Sequence, residues 1–295
     1  MSFFDIFRKK LIAEAKKTPG VSASDVEALM QNGIVLHVDE DAGTIPPDAT
    51  KIGGRPFLPA DFAWPVFADG ADSDALPLSF LCQINLSEVK AYDRDGVLPD
   101  HGMLYFFYEC ESFRWGFDPA DKGCARVLYY EDTAGFVPVE LPEALSEEYA
   151  VPEMAVRFTA ENSYPSYEEL DLHSDLDCDW DGYDAALEEL GVDPDAEEHK
   201  LLGYAKLIQN EMLTECERVS RGIYCGGVSP RPTPEEEERI RRGAGEWTLL
   251  LQLTTLQKGD WEWMWGDCGM LYFYIRKEDL AARRFENAWF ALQCC

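Results

Sequence analysis

The chain has 295 residues, 46% hydrophobic and 13% aromatic, so it can bury a large core despite a formal net charge of −30. With 26 basic against 56 acidic residues its field repels phosphate backbones, which disfavours nucleic acid and favours basic proteins or cations as partners. Nine cysteines without a C-x-x-C pair, and apolar Phe3, Phe4, Ile6 and Phe7 placed before Arg8, Lys9 and Lys10, argue for a reducing cytoplasm over secretion, and no apolar run reaches membrane-spanning length.

Residues 3–17 can form a helix with Phe4, Phe7, Leu11 and Ile12 near one face. Ser24 and Glu27 have the spacing of a capping box, which predicts a helix at about 25–32 closed by Gly33. Ile34 to Val38 is a short β-branched strand signal. Gly53-Gly54-Arg55-Pro56-Phe57-Leu58-Pro59, with Phe62 and Trp64-Pro65 after it, reads as an ordered loop: the glycines permit a left-handed backbone, the prolines remove donors, and the aromatic rings plug onto the core.

Strands are predicted at 78–85, 103–109, 125–130 and 154–158, and such short runs separated by turn signals argue for antiparallel sheet. From Glu168 to Glu198 there are fourteen acidic residues and no Lys or Arg, the composition of an insertion. Thr233-Pro234-Glu235-Glu236 predicts a capped helix, with Glu235, Glu237 and Glu238 each four residues ahead of an arginine on a solvated face. A second β-rich region starts at Trp247, and 285–294 reads as a strand after a helical turn at 278–280.

One pattern occurs twice. Phe80-Leu81-Cys82-Gln83-Ile84 leads to Gly102-Met103-Leu104-Tyr105-Phe106, and Leu250-Leu251-Gln252-Leu253 leads to Gly269-Met270-Leu271-Tyr272-Phe273. The predicted fold is therefore α+β and internally duplicated, mainly antiparallel β-sheet with flanking helices. It forms a single compact domain: N-terminal helices over 1–33, a first β-rich repeat over 34–160, an acidic insertion over 161–200 and a second repeat over 201–295.

The Gly53-to-Pro59 run with Trp64-Pro65, then Leu81-Cys82-Gln83-Ile84-Asn85-Leu86, Leu202-Gly203-Tyr204, Trp265-Gly266-Asp267 and a closing Gln293-Cys294, resembles the YwqG-like family of bacterial proteins over about residues 45–295. The resemblance implies a duplicated fold rich in antiparallel sheet and carries no known chemistry. Some relatives stand beside secreted polymorphic toxins, which implies an immunity role for those members. Relatives commonly carry proline where this chain has Ala205, so the resemblance implies a less rigid loop here.

The sharpest chemical motif is in the acidic insertion. Asp177, Asp179 and Asp181 take positions 1, 3 and 5 of an EF-hand loop, Gly182 the sharp turn, Tyr183 the backbone-carbonyl position and Glu188 the bidentate position 12. Hard oxygens at that spacing suit Ca²⁺; against it, Asp184 stands where an apolar residue normally packs, and the alternative is a solvated acidic helix and loop. Gln83, Gln252 and Asn85 interrupt apolar strands, so their amides need partners, and a structural role weighs more than ligand reading.

Asp267, in Trp265-Gly266-Asp267, could serve as acid, base or cation ligand among indoles, or simply accept turn amides. Arg55 could bind an anion or lock onto a carboxylate. His101 and Cys268 precede the paired strands without any supporting catalytic motif. The candidate ligand-binding residues are thus Arg55, Trp64, Gln83, Trp265 and Asp267; the candidate Ca²⁺ ligands are Asp177, Asp179, Asp181, Tyr183 and Glu188, and no other cofactor is predicted. Charge and resemblance favour a non-catalytic, cytoplasmic, immunity-like binding protein with a basic protein partner. The alternatives are a small-ligand protein or enzyme with a pocket where Arg55, Trp64 and Asp267 meet, and calcium binding by the insertion.

Overall fold

A computed structural model describes residues 21–41, 43–70, 73–193, 196, 198–227 and 232–294. The helix expected over 3–17 lies outside them. The chain divides into two compact units, where the sequence suggests one: Gln31–Ser163 with Glu197–Cys295, and the described residues among Met1–Met30 and Tyr164–Ala196.

The larger unit is built on a ten-stranded sheet, with strands β1 (Gln31–Asp39), β2 (Lys51–Ile52), β3 (Ser79–Asn85), β4 (Met103–Tyr108), β5 (Ala125–Tyr130), β6 (Met154–Ser163), β7 (His199–Leu202), β8 (Trp247–Leu253), β9 (Met270–Arg276) and β10 (Trp289–Gln293). Helices α1 (Ala23–Glu27), α2 (Leu86–Val89), α3 (Leu170–His173), α4 (Trp180–Glu189), α5 (Leu213–Ser220), α6 (Pro234–Ala244) and α7 (Lys277–Ala281) complete the principal elements.

The strand order is β10-β9-β8-β7-β1-β6-β2-β3-β4-β5 and every neighbouring pair is antiparallel. The list has a centre. β1 and β6 pair along nine residues, from Gln31 opposite Ser163 to Asp39 opposite Ala155. Outward from that pair, β7, β8, β9 and β10 on one side are arranged as β2, β3, β4 and β5 on the other. Both β3 and β8 slip register by one residue against the next strand, between Phe80 and Cys82 and between Leu249 and Leu251.

The sheet curls until its arms meet. Phe106 of β4 and Phe273 of β9 touch edge to face, with ring centroids 5.1 Å apart. Tyr108 packs against Phe290 of β10, and the Leu292 N–H donates to the carbonyl of Trp115 in the loop after β4 (3.1 Å). The core fills the inside of this nearly closed sheet, where β3, β4 and β9 are buried at almost every position.

In the smaller unit, Ser22 accepts from the Asp25 amide and Asp25 from the Ser22 amide, so the capping box lies two residues before the expected Ser24–Glu27 pair and α1 is a short helix ending at Glu27. The expected helix end at Gly33 is instead the interior of β1: Gln31 and Asn32 already pair with β6, and at Gly33 the absent side chain makes room for Glu161. Val26, Leu170, Tyr183 and Ala186 form this unit's own small core. Elsewhere the capped helix at Pro234 forms as the Thr233–Glu236 box dictates, and the expected strand at 285–294 begins only at Trp289, after a 3₁₀ turn over Phe285–Asn287.

Candidate functional site

The buried polar residues of the strands hold loops in place. Gln83 is fully buried; its Oε1 accepts from the Phe57 amide (2.8 Å) and its Nε2 donates to the carbonyls of Pro47 (2.7 Å) and Ala49 (2.8 Å). Gln252 makes matching bonds from β8, accepting from the Lys206 amide (2.8 Å) and donating to the Glu198 carbonyl (2.8 Å). Beside each amide a buried tyrosine hydroxyl closes the same loop, Tyr105 onto the Phe57 carbonyl and Tyr272 onto that of Lys206 (2.6 Å).

Ahead of each loop two successive residues have positive φ, Gly53 (56°) and Gly54 (69°) on one side, Leu202 (59°) and Gly203 (68°) on the other. Leu202 accepts this left-handed backbone at some cost, since its Cβ crowds the chain there. Gln293 fixes a third loop, accepting from Ile208 (3.0 Å) and Gln209 (3.1 Å) and donating to Asn210 (2.7 Å). Asn85 caps α2 through the Ser87 amide and donates to Asp48.

The other candidate ligand residues are dispersed. Arg55 is exposed and paired with Glu140 at 2.6 Å. Trp64 packs against Phe62 and Phe107 and donates to the Leu78 carbonyl (2.8 Å). Trp265 is fully buried, with its indole N–H on the Thr254 carbonyl (3.0 Å). Asp267 is exposed at the turn between Trp265 and Gly269, which bridge one another. Two hollows of about 620 and 610 Å³ open on the larger unit, and neither is lined by Arg55, Trp64 or Asp267.

The buried thiols are held inert. Burial pushes the thiol of Cys82 far up, that of Cys110 to about 12, and those of Cys124 and Cys216 well above the ordinary range. Burial lowers His199 to about 4, so its ring stays neutral and its Nδ1 accepts from the Thr254 amide (3.2 Å). His101 is exposed and bonds Asp100 (2.6 Å), and the bonds from His101 and Lys90 hold that carboxyl at about 2. Cys268 is exposed with φ of 55°. Among the described residues no group of three or more His, Cys, Asp or Glu is placed to hold a metal ion.

The EF-hand spacing falls on a helix start. Asp179 caps α4, accepting from the Gly182 amide (2.9 Å), and α4 already runs from Trp180. Asp181, Tyr183 and Glu188 are therefore helical. Asp181 and Glu188 lie about two turns, roughly 10 Å, apart along the axis, too far to close on one ion with Asp177 and Asp179. Tyr183 is buried and donates to the Pro165 carbonyl (2.8 Å). What the insertion presents outward is Asp177, Asp179, Asp181, Asp184, Glu188 and Glu189, all exposed, around a Trp180 that is 52% exposed and edge-on to Tyr167.

Two features went unread in the sequence. Glu217 of α5 is fully buried. Burial alone would raise its carboxyl, but bonds from Trp247 (3.1 Å), Arg221 (2.5 Å) and Arg276 offset this and hold it below its ordinary value. The Arg276 guanidinium also lies 4.6 Å over the Trp247 ring, so one carboxylate ties α5 to β8 and β9. The second is the 610 Å³ hollow beside β6, which depends on where β2 stops pairing; the only trace in the sequence is the shortness of the apolar run before Gly53.

Residues 50–294 match a family described as a domain of unknown function, DUF1963. The chain belongs to that family. The matched region runs from the start of β2 through β10 and includes Gln83, Phe57, Gln252 and Lys206, while α1, β1 and the Pro47 and Ala49 carbonyls that Gln83 holds precede it. No curated protein matches the chain.

Proposed function

We propose that this DUF1963 protein is a non-catalytic binding protein that engages a basic protein partner through the acidic face of α4 and the turn before it. The observation that carries this reading is the surface of the insertion, where carboxylates surround an exposed indole over a stretch from Glu168 to Glu198 that contains no Lys or Arg. Trp180 supplies apolar area and a π face for Lys or Arg, and the surrounding charge speeds encounter with a basic surface.

The buried, inert cysteines and the hydrogen-bonded glutamines also fit a protein that holds a shape rather than one that performs chemistry. The closeness to the YwqG-like family supports an immunity-like, cytoplasmic role. The matched loops and register slips support descent of the two sheet arms from a duplicated unit.

The test is capture of interacting proteins on the full chain at low and at moderate salt, followed by calorimetry with the protein retained. A basic partner is expected, with affinity that falls as salt rises and falls again in an Asp181→Lys, Asp184→Lys, Glu188→Lys variant. Retention of only neutral or acidic partners, or affinity indifferent to the triple variant, would overturn the reading.

A further inference from the structure

The edge of β6 that faces β2 is left open, and we propose that it receives an extended peptide segment of a basic partner as an added strand. This inference concerns the larger unit and stands apart from the α4 surface. Its starting point is the length of β2, which pairs with β6 only through Ile52 opposite Met154 and Lys51 opposite Ala155. β1 covers the other edge of β6 from Ala155 to Ser163.

The direction of the backbone groups follows from one bond. The Gly53 N–H donates to the Leu81 carbonyl of β3 (2.8 Å), so on β2 the groups of Lys51 also face β3 and those of Ile52 face β6. Met154 therefore turns its amide and carbonyl to β2, and by strand alternation Phe158 and Ala160 turn theirs to the same side. Beyond Ala155 no strand lies there among the described residues, and neither Phe158 nor Ala160 makes a backbone bond on that side.

The counterpart arm shows what stops the pairing. β7 continues along β1 as far as His199 opposite Leu36. At the corresponding point of β2, the Thr50 amide is taken instead by Glu88 Oε2 of α2 (2.9 Å), and the ladder ends. The space beyond is the 610 Å³ hollow, with residues 155–159 of β6 as one wall and Ile45, Pro46, Glu88 and Tyr92 as the other.

An open ladder edge beside a hollow selects an extended backbone, because only a strand can satisfy groups repeating every second residue. Tyr92, tilted against Phe158 with centroids 5.7 Å apart, and Ile45 offer an apolar seat for alternate side chains. Arg157 and Glu88 both border the hollow and balance locally, with His37 and Tyr92 as the other titratable groups of its lining, so the sign of the preferred peptide is set by the −30 field of the whole chain.

The experiment is selection of a phage-displayed random heptapeptide library against the full chain, with the recovered peptides synthesised and tested. They are expected to be rich in Lys or Arg, and to slow hydrogen exchange at the Phe158 amide. They should lose about tenfold or more in affinity in Ala160→Pro, which removes a donor that no ladder bond uses. Thr44→Trp, an exposed change that fills the hollow from its loop wall, should act likewise should Ala160→Pro fail to fold. The α4 triple variant should leave peptide binding within about twofold. Recovery of no peptide, indifference to Thr44→Trp, or loss of binding only in the α4 triple variant would each overturn the strand-addition site, the last while supporting the acidic-face reading.

Discussion

Gln83 and Gln252 stand at matching places in the two arms of the sheet and hold the loops ahead of β3 and β8 in the same way, yet what surrounds them differs. On the β8 side, α5 packs on the sheet with α6 against it, and α5 is locked through Glu217 to Trp247 and Arg276. On the β3 side no such helix pair is present among the described residues, and an aromatic loop does the covering, with Phe57, Phe136 and Tyr130 in contact. On the β8 side the inner strand β7 pairs for four residues with β1, while on the β3 side β2 pairs for two with β6. The loop anchors are thus a common requirement of closing the sheet, and the coverings and strand lengths are where the arms are free to diverge.

The largest effect should come from the covering that only one arm has. Glu217→Ala leaves Arg276 and the Trp247 indole without their shared acceptor beneath two helices. Removing one partner of a buried ion pair costs about 3–5 kcal/mol. Urea unfolding should show that loss, and hydrogen exchange should show α5 and α6 opening before the sheet. A uniform loss across both arms would mean that the network is not specific to its own side.

Next in size come the anchors themselves. Gln83→Leu orphans three backbone groups and Gln252→Leu two, at about 1–3 kcal/mol for each buried group left unpaired. Unfolding midpoints should therefore fall for both, and further for Gln83→Leu. Equal losses would indicate that the tyrosine hydroxyls of Tyr105 and Tyr272, not the amides, set the loop positions.

Much of this arrangement is legible in the chain itself. The apolar strands around Gln83 and Gln252, the Thr233–Glu236 box and the glycine-proline loop all follow from local rules of periodicity and turn chemistry. The Ser22–Asp25 box was harder to place, because Ser22 and Ser24 both have an acidic residue three positions on, and only the early start of β1 decides between them. Asp177 to Glu188 has metal-loop spacing, but the same spacing with Asp179 as cap favours a helix, and spacing alone does not distinguish them. Neither Glu217 nor the open edge of β6 could be read, since each arises from contacts between residues far apart in the chain: Glu217 is a surface-type residue until Arg276 and Trp247 arrive.

The smallest predicted effect isolates one atom of difference between the arms. Each inner strand offers a side-chain acceptor to the end of its neighbour: Thr50 Oγ1 takes the Asn85 amide (2.9 Å), and His199 Nδ1 takes that of Thr254 (3.2 Å). A hydroxyl does this at any pH, whereas the ring must stay neutral. Half-buried His199 sits at about 4 against an ordinary value of 6.5, so between those limits the unfolded chain binds the extra proton and the folded chain does not. Stability contributed by the neutral ring is therefore complete above about pH 6.5 and is lost as pH falls toward 4, at about 1.4 kcal/mol per unit of displacement, hence about 3–4 kcal/mol in all. His199→Thr gives the β8 arm the acceptor that the β3 arm already uses. Urea unfolding at pH 7 and pH 4.5 should show wild type losing about 2 kcal/mol more than the variant on acidification, and parallel losses would place the acid sensitivity elsewhere.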